Sequence, residues 1–308
     1  MALPTLKESL HNFYESHEDN LLRDYPGLTI SRLENDFKRF LEKSELSFDP
    51  LILNGPNNSL SEKFFSSLKE GIPLEQIINE AYFYKSEFFV DENVLIPRNE
   101  TEILVEKVVS FIRKIKKENI SLIDIGTGSG AIILSILADV LNVKINALAT
   151  DLSAKALEIA KTNAFRLDFK IADSHQLCFK IGDRLFEIED KFDIIVSNPP
   201  YIKESGDRFK VHERVHSYEP HIALYLKDEE HDEWFNTFFK QVDESLKPQG
   251  LFMMEGHEDH LNYLEKNFRE VSDVSKKEMA EKIGTEIAKR SLKKGIKSVA
   301  FDRGKYKY

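Results

Sequence analysis

The stretch Leu122–Leu141, LIDIGTGSGAIILSILADVL, reads as a short apolar strand, a glycine-rich turn and an apolar helix in immediate succession. Leu122 to Ile125 has the character of a buried strand, and the helix starts near Ala131. Between them lies Asp124-Ile125-Gly126-Thr127-Gly128-Ser129-Gly130. Glycines at alternate positions let the backbone turn tightly and approach a ligand with no side chain between, close to the free N–H groups of a helix start.

Outward from this unit, strands and helices alternate. Strands are predicted at Leu122–Ile125, Ile145–Thr150, Cys178–Ile181, Phe192–Val196 and Leu251–Met254, with helices near Ala131–Leu141, Ala154–Phe165, Trp234–Leu246 and Asp259–Phe268. The pattern is that of an α/β protein with a doubly wound, mostly parallel, Rossmann-like sheet. A lysine-rich helix, Lys276–Lys294, and a last strand, Ser298–Phe301, close the chain.

Upstream the texture differs. Thr5 with Glu8, Ser31 with Glu34, and Ser59 with Glu62 have capping-box spacing, each ahead of an apolar stripe: Leu6, Leu10 and Phe13; Leu33, Phe37, Phe40 and Leu41; Phe64, Phe65 and Leu68. Asp49-Pro50 and Gly55-Pro56 read as turns, and Gly71 with Pro73 as a helix stop. A hairpin is predicted from Tyr82–Val90 and Val94–Ile96 across a turn at Asp91–Asn93, followed by a helix capped by Asn99 and Glu102 with Ile103, Leu104, Val108 and Ile112 on its buried side. The division is a small helical domain, 1–70, a β-hairpin linker, 71–98, and a larger α/β domain, 99–308.

The 308 residues carry 41% apolar and 31% charged side chains and a net charge of −10, which describes a folded soluble protein without a broad phosphate-binding face. No apolar run reaches the ~20 residues of a membrane span, and Met1–Glu15 has no signal-peptide core, so a cytoplasmic, membrane-free protein is expected. Val274–Tyr308 holds eleven Lys and Arg against four Asp and Glu, a basic segment that leaves weak nucleic-acid contact open. The single cysteine, Cys178, excludes a disulfide framework and reads as a core thiol.

Function should sit at the carboxyl ends of the strands, where open α/β sheets bind ligands. Asp151, at the end of the second strand, is placed to accept hydrogen bonds from ribose hydroxyls. Asp183 follows the third strand and is the candidate for an adenine amino group, with Asp173 as a competitor. With Ala131 as its last position the loop also satisfies G-x-G-x-x-G/A, so a dinucleotide is a competing ligand. Asp124 tilts the choice, because a carboxylate repels a pyrophosphate and attracts the sulfonium of S-adenosylmethionine. After the fourth strand comes Ser197-Asn198-Pro199-Pro200-Tyr201. Two prolines stiffen the backbone, Asn198 Oδ1 and a proline carbonyl offer acceptors, and Tyr201 covers a face, a site for a planar group with N–H donors.

His212-Glu213-Arg214-Val215-His216 matches H-E-x-x-H, yet no apolar helix surrounds it and no third ligand stands at a known spacing, so no metal is expected. His257 and His260 read as helix-surface residues.

In their order, Gly71–Leu74, Phe88–Val90, Val94–Arg98, Glu100-Thr101-Glu102, the DIGTGSG loop, SNPPYI and Tyr218-Glu219-Pro220 through Ala223-Leu224 resemble the N5-glutamine methyltransferases that modify peptide-chain release factors. N-P-P-Y alone is shared with adenine methyltransferases of nucleic acids. The resemblance implies S-adenosylmethionine bound by Asp124, Gly126, Thr127, Gly128, Gly130, Asp151, Asp183 and Asn198, with S-adenosylhomocysteine as product. It implies a catalytic group of Asn198, Pro199 and Tyr201, and a substrate site formed by these with Pro200 and Glu219. The acceptor it implies is the glutamine of a release factor's Gly-Gly-Gln loop, the alternatives being a ribosomal-protein glutamine and nucleic-acid adenine N6. Asn99 in place of a usual proline, Lys85 in place of a small residue, Leu226–Glu230 in place of a glycine-containing turn, and the long basic tail depart from the family pattern.

Overall fold

The computed structural model describes residues 4–44 and 59–271. The chain forms two compact units, one taking residues up to Glu80 with Val90–Glu92 and Glu213–Tyr218, the other Ala81–Phe89, Asn93–His212 and the chain from Glu219 onward. The predicted turns at Asp49-Pro50 and Gly55-Pro56, the basic segment, its helix and the last strand lie outside the described residues.

In the first unit, α1 (Leu6–Asp24), α2 (Ile30–Ser44), α3 (Ser59–Lys69) and the single turn α4 (Leu74–Ile77) bury the three predicted stripes against one another. The Thr5–Glu8 capping box forms: the Glu8 N–H donates to Thr5 Oγ1 over 3.2 Å and the Thr5 N–H to Glu8 Oε2 over 2.8 Å. The second predicted box does not. Thr29 takes the cap instead, accepting from the Arg32 N–H at 3.2 Å, and Glu34 is drawn to His11 on the neighbouring helix. Gly71, at φ +80°, ends the third helix in the left-handed region that favours glycine.

A segment from far downstream completes this unit. The Arg214 guanidinium lies 3.9 Å above the Tyr25 ring and donates to the carbonyls of Gly71 and Asp24, while Gln76 donates to the Tyr218 carbonyl over 2.8 Å. The H-E-x-x-H match thus straddles the start of a six-residue helix, with His212 before it, and its arginine is spent on packing. Among the described residues no cluster of three or more His, Cys, Asp or Glu could hold a metal ion.

The second unit begins with a tight hairpin, β1 (Ala81–Phe83) and β2 (Ser86–Phe88). Its turn is Tyr84-Lys85, seven residues before the predicted one, and Val94–Ile96 is not a strand. Distant side chains hold that turn: the Tyr84 N–H donates to Glu102 over 2.7 Å, its hydroxyl to Asp139 over 2.8 Å, and Lys85 to Asp139 over 2.7 Å. Glu102 is therefore unavailable to cap α5 (Glu102–Ile112), which follows a single 3-10 turn, Asn99–Thr101, and has no side-chain cap. Its buried face is Leu104, Val105, Val108, Val109 and Ile112, whereas Ile103 points outward.

Then β3 (Asn119–Ile125), α6 (Ala131–Asp139), β4 (Lys144–Asp151), α7 (Ala154–Leu167), β5 (Gln176–Ile181) and β6 (Phe192–Ser197) follow in the predicted order. A minor parallel pair comes next, β7 (Ile202–Lys203) with β8 (Tyr225–Leu226). Between its strands lie α8 (Glu213–Tyr218) and the single turn α9 (His221–Leu224), and beyond it α10 (His231–Ser245), β9 (Leu246–Met254) and α11 (Glu258–Val271). The main sheet has the order β5-β4-β3-β6-β9 and every pairing in it is parallel. This is the doubly wound arrangement: the winding reverses between β3 and β6, so a crevice opens past their carboxyl ends. β6, at the centre of the reversal, is buried at every position.

Cys178 is exposed, not in the core. It lies on the edge strand β5, where Leu177 and Phe179 pack against the core and Cys178, between them, alternates outward. Among the described residues no helix is long and apolar enough to cross a membrane.

Candidate active site

Gly126, Gly128 and Gly130 adopt φ of +70°, +56° and +81°, the left-handed region where a side chain costs about 1–2 kcal/mol. A Cβ on Gly126 or Gly128 would meet nothing within 4 Å, so the loop presents bare backbone to open space. A Cβ on Gly130 would sit 3.0 Å from Leu134 and 3.3 Å from Ala160, so that glycine serves close packing of α6 on α7.

Two carboxylates shape the loop. Asp124 is fully buried, and its Oδ2 accepts from Thr127 Oγ1 over 2.7 Å while its Oδ1 has no hydrogen-bond partner. Burial pushes its pKa up from 3.8 to about 7, the Thr127 hydrogen bond opposing and Asp151 adding to the rise. At the end of β4, Asp151 accepts from the Gly128 N–H and the Ser153 N–H, both at 2.8 Å, and burial raises its pKa. It holds the glycine loop in shape and, with two oxygens able to take further donors, keeps acceptor capacity for ribose hydroxyls.

Asp183 follows β5, whose end is tied to Asp151 through the Gly182 N–H at 3.0 Å. Its carboxylate is held by Arg184 in a two-point pair at 2.9 and 2.8 Å, and that guanidinium stacks 5.1 Å from the Trp234 ring. Asp173 precedes β5 and so stands at the amino end of the sheet, away from the glycine loop.

Past β6, Asn198 is half-buried, Pro199 buried, and Tyr201 buried with its hydroxyl on Glu255 Oε1 at 3.0 Å. Glu255 Oε2 accepts from Thr101 Oγ1 over 2.6 Å, and Thr101 Oγ1 lies 3.5 Å from Asn198 Nδ2. The four side chains form one network that orients the Asn198 amide. Thr101 belongs to the Glu100-Thr101-Glu102 element, which gives that element a physical reason to accompany N-P-P-Y. Glu255 escaped the sequence reading. One signal for it existed: like Asp151, it is the acid at the carboxyl end of a sheet strand. His257, read as a surface residue, is buried with its ring 6.5 Å edge-on from Tyr201, and His260 reaches Asp207 at 2.8 Å.

Glu219, named above for the substrate site, has a partner on each of its oxygens. It is almost fully buried, one oxygen accepting from the Ile96 N–H at 3.0 Å and the other pairing with Arg98. Its carboxylate braces the Val94–Arg98 segment.

A methyltransferase-domain family model matches residues 116–299. The chain is 35% identical to a "Release factor glutamine methyltransferase" of Flavobacterium psychrophilum over 63% of its own length and 66% of that protein. With the protein of the same name from Leptospira interrogans it shares 36% identity over 76% of each chain. A "Bifunctional methyltransferase" of Rickettsia typhi matches at 34% identity, and there the chain spans 39% of the relative. The glycine loop and the N-P-P-Y segment both lie within residues 116–299, and on the extent of likeness to these relatives the chain belongs to the release factor glutamine methyltransferase family.

Proposed function

We propose that the protein transfers a methyl group from S-adenosylmethionine to the side-chain amide nitrogen of the glutamine in a release factor's Gly-Gly-Gln loop. The observation that carries this reading is the anchoring of Asn198. Its Nδ2 faces Thr101, so its Oδ1 is the atom offered to a substrate, and it stands at the reversal of the sheet beside the glycine loop.

The residues at this end of the sheet fit the cofactor. The unpartnered, buried Oδ1 of Asp124 suits a positive group, the bare backbone of Gly126 and Gly128 admits close approach, and Asp151 is at hand for hydroxyls. When bound, S-adenosylmethionine supplies an electrophilic methyl carbon on a sulfonium.

An amide nitrogen is a poor nucleophile, since its lone pair is delocalised into the carbonyl. Asn198 Oδ1 and the Pro199 carbonyl would receive its two N–H groups and fix its direction of attack, and positioning carries most of the acceleration. Pro199 and Pro200 hold that geometry because neither can rotate about φ. The group would supply the methyl carbon with its C–S bonding pair departing on sulfur as the C–N bond is made, while this chain's residues hold the nitrogen in place, and the surplus proton would pass to solvent. No general base is required.

The test is incubation of the full chain with cofactor and a release factor, followed by mass spectrometry of the glutamine-bearing peptide. Methylation at that glutamine is the expected result. An unmodified peptide under conditions where cofactor binding is measured would overturn the reading, and methyl transfer to nucleic-acid adenine would replace it. Asn198→Ala should lower transfer by about 100-fold or more, far beyond any weakening of cofactor binding.

A further inference from the structure

We infer that Glu255 is a positioning residue that decides which way the Asn198 amide faces, acting through the direction of the Thr101 hydroxyl. The inference rests on the amide clamp proposed above and goes beyond it. Asparagine presents nearly the same shape with its oxygen and nitrogen exchanged, so shape alone does not choose. Only one orientation accepts an N–H from a substrate.

The choice follows from hydrogen-bond polarity. A carboxylate has acceptors only. Glu255 therefore draws the Thr101 hydroxyl proton onto Oε2 at 2.6 Å and the Tyr201 hydroxyl proton onto Oε1 at 3.0 Å. Thr101 Oγ1 has one proton, and with that proton committed it can only accept from Asn198. The atom of Asn198 turned toward it must then be Nδ2, and Oδ1 is left for the substrate. At 3.5 Å the Asn198–Thr101 contact is the longest of the three links.

The backbone keeps the relay in register. Ser197 pairs with Met254 between β6 and β9, and the Glu255 N–H donates to the Ser197 carbonyl at 3.0 Å, which places Glu255 beside the residue preceding Asn198. Thr101 is buried, so water does not freely stand in for its partners. A glutamine at 255 has the same shape but one acceptor and one donor end. It cannot accept from both hydroxyls at once, so the Thr101 proton is no longer fixed on residue 255, and wherever it swings toward Asn198 the amide turns its oxygen inward and its NH2 toward the substrate's own N–H.

The test compares Glu255→Gln, Thr101→Val and Thr101→Ser in the full chain. Two readouts are used: kcat and KM for transfer to the release factor, and the Asn198 side-chain amide resonance in the substrate-free protein, assigned by its loss in Asn198→Ala. Glu255→Gln and Thr101→Val should each lower kcat by about 10- to 100-fold with cofactor affinity unchanged, while Thr101→Ser restores it to within about threefold. The double variant should be no worse than the worse single one, because both break one relay. The resonance should move in Glu255→Gln and Thr101→Val and stay in Thr101→Ser. An unmoved resonance in Glu255→Gln, an unchanged kcat there, or a double variant equal to the product of the singles would overturn the inference. Should Glu255→Gln fail to fold, the valine–serine pair decides by the same two readouts. A wild-type protein that leaves the release factor unmodified, while the resonance moves as described, would remove the substrate assignment and keep the relay.

Discussion

Replacing Asp124 with asparagine should stabilise the cofactor-free protein at pH 8 relative to pH 5. The carboxyl is buried and one of its oxygens has no partner, so the charged form is the one that burial opposes. In the unfolded chain it titrates near 3.8, in the folded protein near 7. Between these values the folded state binds the extra proton, and stability falls as pH rises. At 1.36 kcal/mol per pH unit, the penalty grows from almost nothing below the lower value, through about 2 kcal/mol at pH 5, to about 4 kcal/mol above the upper one. Asparagine carries no such penalty and keeps an oxygen for Thr127, but it places an NH2 where an acceptor stood, which costs about 1–3 kcal/mol at every pH. The difference between variant and wild type should therefore move by about 2–3 kcal/mol from pH 5 to pH 8, roughly 5–10 °C in the melting temperature of a unit this size. Thermal unfolding of both proteins at the two pH values, without cofactor, measures it. Parallel pH profiles would refute the raised pKa of this buried carboxyl, and saturating cofactor should narrow the gap by stabilising wild type more than the variant.

The two kinds of loop glycine should separate. Gly128→Ala, with open space for its Cβ but φ +56°, should cost about 1 kcal/mol of stability and weaken cofactor binding by about tenfold or more, measured by calorimetric titration. Gly130→Ala, wedged against Leu134 and Ala160, should lose about 2–3 kcal/mol in urea unfolding. Glu219→Ala takes the carboxylate from Arg98 and the Ile96 N–H and should destabilise by about 3–5 kcal/mol, whereas Glu219→Gln keeps an acceptor and should cost clearly less. Asp193 sits at the opposite end of the sheet. Burial favours its neutral form, but Lys117, Ser121 and Lys247 hold its pKa well below the usual carboxylate range. Its contribution is present above 3.8 and lost as pH falls, so Asp193→Asn should flatten the acid limb of the stability profile.

What was legible in the sequence was local or periodic. The glycine loop, the acid ending β4 and the stiff N-P-P-Y segment each declare themselves within a dozen residues, and strand–helix alternation then fixes which end of the sheet they share. What was illegible depends on partners far along the chain. The Tyr84-Lys85 turn is held by Glu102 and Asp139, so the aromatic run from Tyr82 to Val90 reads as one strand until those partners are known. Cys178 faces outward because β5 is an edge, and strand order does not show in the composition of one strand. The pairing of Glu219 with Arg98 spans 121 residues, so Tyr218-Glu219-Pro220 alone does not show it. Glu255 matters only through Thr101 and Tyr201, which lie 154 and 54 residues away.

The segment Glu213–Tyr218 has a consequence for how the protein is made. Its contacts with Asp24, Gly71 and Gln76 close loops of 190, 143 and 142 residues, so the N-terminal unit lacks part of its packing until the chain has been synthesised past Tyr218. At about 5–20 residues per second, that is an interval on the order of ten seconds after Gln76 is translated. During it the aromatic face of Tyr25 has no arginine above it, and the half-finished unit depends on its helices alone. Synthesis therefore orders assembly in reverse: of the two units, the one translated earlier is the one that must wait.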